Sequence, residues 1–404
     1  MLINPDYMQA IEIASRGISP VGVEYLPLSQ AGGRILGQQL IAKENVPAFD
    51  RSPYDGYALR AADTERTAPG TPVRLRILEE IPAGNVPAKR VTEGTAAKVF
   101  TGSPIPDGAD AVIMYEKTAF TNDHVTVFHP LAPGENIIRT GEDIRKGTVL
   151  AECGDVIDPG LAGVLAAQGE TMPFVYRIPR VAVFSTGSEL VEPGDIPENG
   201  KIRNSNRYML EAALKQAGCE SVYFGIASDS VSEISAHLDQ ALSSCDAVVI
   251  TGGVSAGDFD LTPNAMEASG VELLFRGVNM KPGMACAYGI RHGKPVCGLS
   301  GNPASALTNF YAIAMPAFRK LSGRSDYLMP EISLVLTSDF GKKSPKTRFL
   351  RGKLQLKNGM ACMELPAEQG NVVLSSAIGC NVMAVVPAGS GPVRAGTVLK
   401  GIML

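Results

Sequence analysis

Residues 246–263 read DAVVITGGVSAGDFDLTP. The segment begins as an apolar, β-branched run, the pattern of a buried parallel strand. It breaks at Gly252-Gly253, where backbone can pass close to a ligand because no Cβ intervenes. Just beyond stand Ser255, Gly257, Asp258, Asp260 and Thr262. A strand running into a glycine turn, with hydroxyls and carboxylates after it, suits a phosphate with a Mg²⁺ ion beside it. Taken alone, the same residues also read as a tight turn with solvated acids.

Two more strand-like runs end in polar-glycine turns: FSTGSEL at 184–190 and LSGNPAS at 299–305. In an open parallel sheet, ligands bind at the carboxyl ends of the strands, so the three turns should lie along one edge. The substrate-binding candidates are therefore Ser185, Thr186, Gly187, Gly252, Gly253, Ser255, Gly257, Ser300, Gly301, Asn302 and Pro303. Asn302 is placed to cap a helix whose first residue is Pro303, which would leave free N–H groups facing an anion. Lys281, in VNMKPGMA, is held by a Pro-Gly turn and suits an oxyanion, though a surface lysine is the plainer reading. Asp55 (DRSPYDGYAL) and Asp143 (RTGEDI) flank a β-rich insertion and share a hinge, and Thr101 (KVFTGSPIP) lies inside it.

The elements that must hold these residues follow from the pattern. Strands and helices alternate from 179 to 323, which means a parallel sheet covered on both faces. Helices are expected over 204–217, 230–243 and, as one long helix, 302–323. A helix over 5–16 opens the chain, and another over 158–168 has Asp158 as N-cap and Pro159 at its first position. Short β runs fill 71–142, such as VRLRILEEI and HVTVFH, and recur over 330–404. The expected division is a discontinuous linker and dimerisation domain (1–45 and 144–176), an inserted β-rich domain (46–143), an α/β domain (177–326) and a small C-terminal β-barrel (327–404).

Composition narrows the function class. At 404 residues the chain should hold several domains. A net charge of −4 favours neither nucleic acid nor an anionic membrane. The amino terminus lacks a signal-peptide pattern, and no apolar run approaches the length of a membrane span. Seven cysteines, with no CxxC pair, fit reduced thiols in a cytoplasmic protein.

Together the motifs resemble the molybdopterin molybdenumtransferase family, to which the gephyrin E domain is related. The resemblance rests on PAFDRSPYDGYAL (47–59), TGSPIPDGADAVIMYE (101–116), IIRTGEDI (137–144), VAVFSTGSEL (181–190), IRNSNRYML (202–210), TGGVSAGDFDLTP (251–263), KPG (281–283) and GLSGNPAS (298–305). It implies an elongated four-domain protomer with a molybdopterin-binding α/β domain, and a homodimer whose active site is shared between subunits. It also implies adenylylated molybdopterin and molybdate as substrates, Mg²⁺ as activator, and the adenylyltransferase of the preceding step as a partner. Carried over residue by residue, Glu189, Asp229 and Asp260 belong to the α/β site and to its Mg²⁺, with Lys281 as the cation. Asp55, Thr101 and Asp143 belong to the facing β side.

Three segments depart from the family pattern. KPGMA stands where KPGKP is common, so Met284 replaces a second lysine and Ala285 a proline. LSGNP replaces LPGNP, and Asn371 stands where a serine is more usual. If Met284 faces the pocket, Met284→Lys is expected to tighten oxyanion binding. Two other readings compete: a molybdopterin adenylyltransferase, which the additional terminal domains oppose, and a non-catalytic scaffold, which the retained Asp55, Asp229, Asp260 and Lys281 oppose.

Overall fold

A β-branched run becomes a buried strand only when both its faces are covered, and Arg180–Thr186 meets that condition. Val181 and Val183 enter one apolar cluster, and Ala182 and Phe184 enter another. The structure is a computed structural model that describes residues 1–68, 70–254 and 261–404. The chain divides into two units, one of residues 1–38, 153–159 and 172–404 and one of residues 39–152 and 160–171.

The first unit contains a seven-stranded sheet. Four strands are parallel, in the spatial order Glu220–Ala227, Arg180–Thr186, Ala247–Thr251, Lys294–Leu299. The earliest of these in the chain lies inside the group. Its successor in sequence sits on one side and the next on the other, which makes a topological switch point between Arg180–Thr186 and Ala247–Thr251. Helices Ser205–Gln216 and Pro303–Asn309 pack on one face, with Leu210, Leu214, Ala306 and Phe310 buried. Helices Val231–Ser244 and Thr262–Ala268 cover the other, through Ile234, Leu238 and Ala265. Each fully buried Val, Leu, Ile or Phe contributes about 1.5–3 kcal/mol relative to exposure.

The sheet is mixed where alternation alone predicts a parallel one. Cys286–Arg291 runs antiparallel to both Glu272–Arg276 and Lys294–Leu299. Arg291 pairs with Lys294, so His292 and Gly293 form a two-residue hairpin turn, both with positive φ (50° and 78°). The long helix expected over 302–323 is one helical stretch over 303–321, but with a π segment at Phe310–Ala314 between Pro303–Asn309 and Met315–Leu321. Pro316 has no N–H and its ring crowds the preceding turn, so the ladder widens just ahead of it.

Strands Glu331–Leu336, Thr347–Lys357, Met360–Glu364, Val382–Val386 and Val398–Met403 close into a five-stranded barrel, because Thr347–Lys357 pairs with both Met360–Glu364 and Val382–Val386. Closure leaves the ring without an open edge. Leu334, Leu350, Met363 and Val382 fill it.

The second unit carries a six-stranded sheet, including Val73–Ile81 and His124–Val127, where short β runs were expected. Gly56 is required in it: a Cβ there would lie 2.0 Å from the Ile113 carbonyl oxygen of the paired strand. Helix Pro159–Ala167 begins on its proline, as the sequence predicts.

Candidate functional site

At the switch point the three strand-end turns meet around one cavity of about 740 Å³. Its wall is built from Thr186, Gly187, Gly252, Gly253, Ser300, Gly301, Asn302 and Pro303, together with Glu189 and Asp229. The sequence reasoning that placed the turns on one sheet edge thus matches the geometry. A somewhat larger cavity, about 810 Å³, lies against Tyr176, Tyr208 and Lys215 and contains none of these turns.

The turns approach one another closely because glycine allows it. Gly252 has φ 102°, and a Cβ on it would lie 2.4 Å from the Thr186 carbonyl oxygen. Thr262 Oγ1 donates to the Gly252 carbonyl at 2.8 Å and so pins the turn to the helix that follows. At Gly187, with φ 144°, a Cβ would lie 2.6 Å from Glu189 Oε2, so the Glu189 carboxylate folds back over this glycine. Asp229 Oδ2 accepts the Ser188 N–H at 2.9 Å, which ties the end of one strand to the turn of its neighbour.

Two expectations need correction. Ser185 does not line the cavity. Alternation along the strand places it on the face of Val181 and Val183, fully buried, where it accepts from Thr251 Oγ1 and donates to Asn204 Oδ1, each at 3.1 Å. Asn302 occupies the N-cap position of Pro303–Asn309, but its side chain makes no capping hydrogen bond. Its carbonyl instead receives the N–H groups of Ser305 and Ala306. Ser255, Gly257, Asp258 and Asp260 lie outside the described residues.

Asn206 and Val372 were not singled out from sequence. Asn206, 7% exposed, donates through Nδ2 to the Gly301 carbonyl at 2.9 Å, and its Oδ1 has no partner among the described residues. Thr186 Oγ1 is likewise buried without a partner. Both residues line the cavity, and buried polar atoms are normally satisfied, so these two are the atoms a ligand would complete. Val372 reaches the cavity from residues 369–376. The signals were present, in IRNSN and QGNVV, but nothing in their spacing separated them from ordinary loop residues.

Lys281 is exposed and does not line this cavity. It lies in the short strand Met280–Lys281, which pairs with Thr347–Lys357. Asp55, Thr101 and Asp143 belong to the second unit. Thr101 donates to Asp55 Oδ1 through both its N–H, at 2.8 Å, and its hydroxyl, at 2.9 Å. The backbone bond and then the hydroxyl bond hold the Asp55 carboxyl below its ordinary range, although the group is exposed. The Asp143 N–H donates to the Val46 carbonyl at 3.0 Å, so the chain's paths into and out of the β-rich sheet run side by side. A second carboxylate repeats the Asp55 arrangement: Asp50 accepts from the Thr140 N–H and hydroxyl and pairs with Arg139 at 2.7 Å.

Comparison with known proteins gives a consistent result along the whole chain. Residues 6–169 match the MoeA N-terminal region (domain I and II), residues 182–320 a probable molybdopterin binding domain, and residues 333–404 the MoeA C-terminal region (domain IV). The molybdopterin molybdenumtransferase of Staphylococcus aureus (strain Mu50) is 37% identical over 91% of this chain and 88% of its own length. That of Staphylococcus epidermidis (strain RP62A) is 36% identical over 93% and 90%. The crystal structure of a molybdopterin biosynthesis moeA protein from Pyrococcus horikoshii OT3 superposes with a TM-score of 0.85 at 32% identity, covering 99% of this chain and 100% of that one. The four-domain MoeA fold is therefore this chain's fold.

Proposed function

The chain belongs to the molybdopterin molybdenumtransferase family, and from that premise we propose that it takes adenylylated molybdopterin and molybdate and forms molybdenum cofactor with release of AMP. The observation that carries the reading is the switch-point cavity, where three glycine turns and two unpartnered buried polar atoms meet two carboxylates. Its volume, about 740 Å³, is within the range of sites for ligands of this size.

The residues present fit a Mg²⁺ ion. Among the described residues no group of three or more His, Cys, Asp or Glu side chains could hold a metal. Mg²⁺, however, is commonly held by one or two carboxylates together with substrate phosphates and water. Glu189 and Asp229 supply such a pair, and Asp229 keeps an oxygen open after accepting from Ser188. Asp260 is proposed as a third ligand from outside the described residues. A bound Mg²⁺ would neutralise charge on the phosphoanhydride. The Gly252-Gly253 turn admits the phosphates close to backbone N–H groups, Thr186 and Asn206 orient the organic part, and Lys281 attracts the molybdate dianion.

We further propose a homodimer in which Asp55, Thr101 and Asp143 of one subunit face Lys281 of the other. Helix Pro159–Ala167 supports this reading, since it has no charged residue and only Leu165 is fully buried within the chain. The four domains are assigned the boundaries 45, 143, 176 and 326. Seven free cysteines suit a cytoplasmic enzyme that receives its substrate from an adenylyltransferase.

The test is direct. Purified protein given adenylylated molybdopterin, molybdate and Mg²⁺ should release AMP and yield active cofactor. Asp260→Ala should fold normally and release none. Turnover of free molybdopterin with ATP instead would identify an adenylyltransferase, and wild-type turnover by Asp260→Ala would remove that residue from the site.

A further inference from the structure

At the Lys281 turn a thioether, Met284, stands where the family pattern has a second cation. In this structure a cation reaches that place from the residue just before another strand. Lys346 Nζ lies 2.8 Å from Met284 Sδ.

Backbone geometry makes the approach repeatable. Strand Met280–Lys281 runs parallel to Thr347–Lys357, with Met280 opposite Thr347 and Lys281 opposite Arg348. Lys346 immediately precedes this pairing. The turn itself is anchored from beneath: Asn309 Nδ2 donates to the Gly283 carbonyl at 2.7 Å, and a Cβ on Gly283 would lie 3.1 Å from the Asn309 Cβ. Met284 is 45% exposed, so the contact with Lys346 sits at the surface of the turn and is open to a small ion.

The charge around this contact is unbalanced. Residues 340–352 read FGKKSPKTRFLRG, with five basic side chains and no acidic one. Among the described residues, none of Lys281, Lys342, Lys343, Lys346, Arg348 and Arg351 takes part in an ion pair. Arg348 is buried beside Ser344 Oγ and the Phe340 ring, with no carboxylate paired to it among the described residues. Clustered like charges repel, and a bound anion relieves that repulsion. A thioether sulfur is only a weak acceptor and leaves the Lys346 charge available.

We propose that Lys346 and Lys281 form a two-cation site for the tetrahedral oxyanion, Lys346 supplying from just before the barrel strand the charge that the KPGMA turn lacks. The proposal rests on the reading that the Lys281 turn takes molybdate. It also reverses the expectation for Met284→Lys: a lysine there would meet the Lys346 ammonium head-on and would not simply add a charge.

The experiment is a calorimetric titration of the full-length protein with molybdate alone at two salt concentrations, with melting temperatures recorded for every variant. Lys346→Met should weaken binding roughly tenfold and flatten its salt dependence. Lys346→Arg should keep most of the affinity. Met284→Lys should bind no tighter than wild type, and the exchange Met284→Lys with Lys346→Met should recover most of the loss, a coupling that independent sites would not show. Unchanged affinity in a folded Lys346→Met, or tighter binding by Met284→Lys, overturns the two-cation site. Lys281→Ala separates the layers: if it loses molybdate while Lys346→Met does not, only the Lys346 assignment fails. If Lys281→Ala or wild type shows that molybdate does not bind through this turn, the underlying reading fails and the pair with it.

Discussion

At the residue scale, the distinctive feature of the cavity is the pair of buried polar atoms with no partner among the described residues, Thr186 Oγ1 and Asn206 Oδ1. Burying a hydroxyl without a partner costs about 1–3 kcal/mol. In this cavity a bound ligand would supply the missing partner. Thr186→Val, nearly the same shape, should therefore leave the melting temperature unchanged or raise it, while raising KM for the pterin nucleotide. A lower melting temperature with unchanged KM would show that the hydroxyl has a structural partner instead. Thr186 was legible from its strand-end turn, but Asn206 did not stand out in the sequence, because an asparagine in a helix's first turn has many ordinary uses. Asp55 was noted from its place at the hinge of the β-rich insertion, whereas Thr101 by itself did not stand out, and the site role of both came from the resemblance. Their two hydrogen bonds depend on backbone from distant parts of the chain meeting, and spacing does not reveal that.

At the element scale, the parallel strands deliver their turns to one place, and the packing between turns is tight. Gly252→Ala would force a Cβ to within 2.4 Å of the Thr186 carbonyl oxygen in a positive-φ conformation. The expected cost is roughly 2–4 kcal/mol of stability, read by denaturant unfolding, together with loss of nucleotide binding. A variant as stable as wild type would mean that the turn can relax without its neighbour. The strand Arg180–Thr186 and the helices after it were legible because their apolar periodicity is strong. The antiparallel strand Cys286–Arg291 was not, because its hairpin turn is His-Gly, a weaker signal than Asn-Gly or Asp-Gly. The π segment before Pro316 was missed for another reason: periodicity reports that a helix continues, not how its hydrogen bonds are spaced.

At the scale of the whole molecule, the proposed site draws Lys281 from one subunit and Asp55 from another. Complementation tests this. Asp55→Asn and Lys281→Ala should each be inactive alone. Co-expressed, they should assemble randomly into dimers in which about a quarter of all sites carry both wild-type halves. Activity near that fraction supports a shared site, and no recovery in verified mixed dimers would place both residues in the same subunit's site or remove one of them. Light scattering should give the accompanying mass, twice that of the chain, and a fully active monomer would refute the shared site.

Sequence alone determined the strands that carry the site, which turns carry glycine and hydroxyl groups, and to which family the ordered motifs point. These are local properties: a β-branched run or a Gly-Gly turn has the same preference wherever it lies. Tertiary structure decided what depends on distant segments meeting. It buried Ser185 beneath the cavity and turned Thr186 toward it, because alternation assigns a face only once the covering helices are in place. It brought Val372 to the wall of a cavity built by strands far away in sequence. It set Lys346 against Met284, so that a charge missing from one turn is present in space. Electrostatics acts through distance, and distance between residues 62 positions apart is a property of the fold.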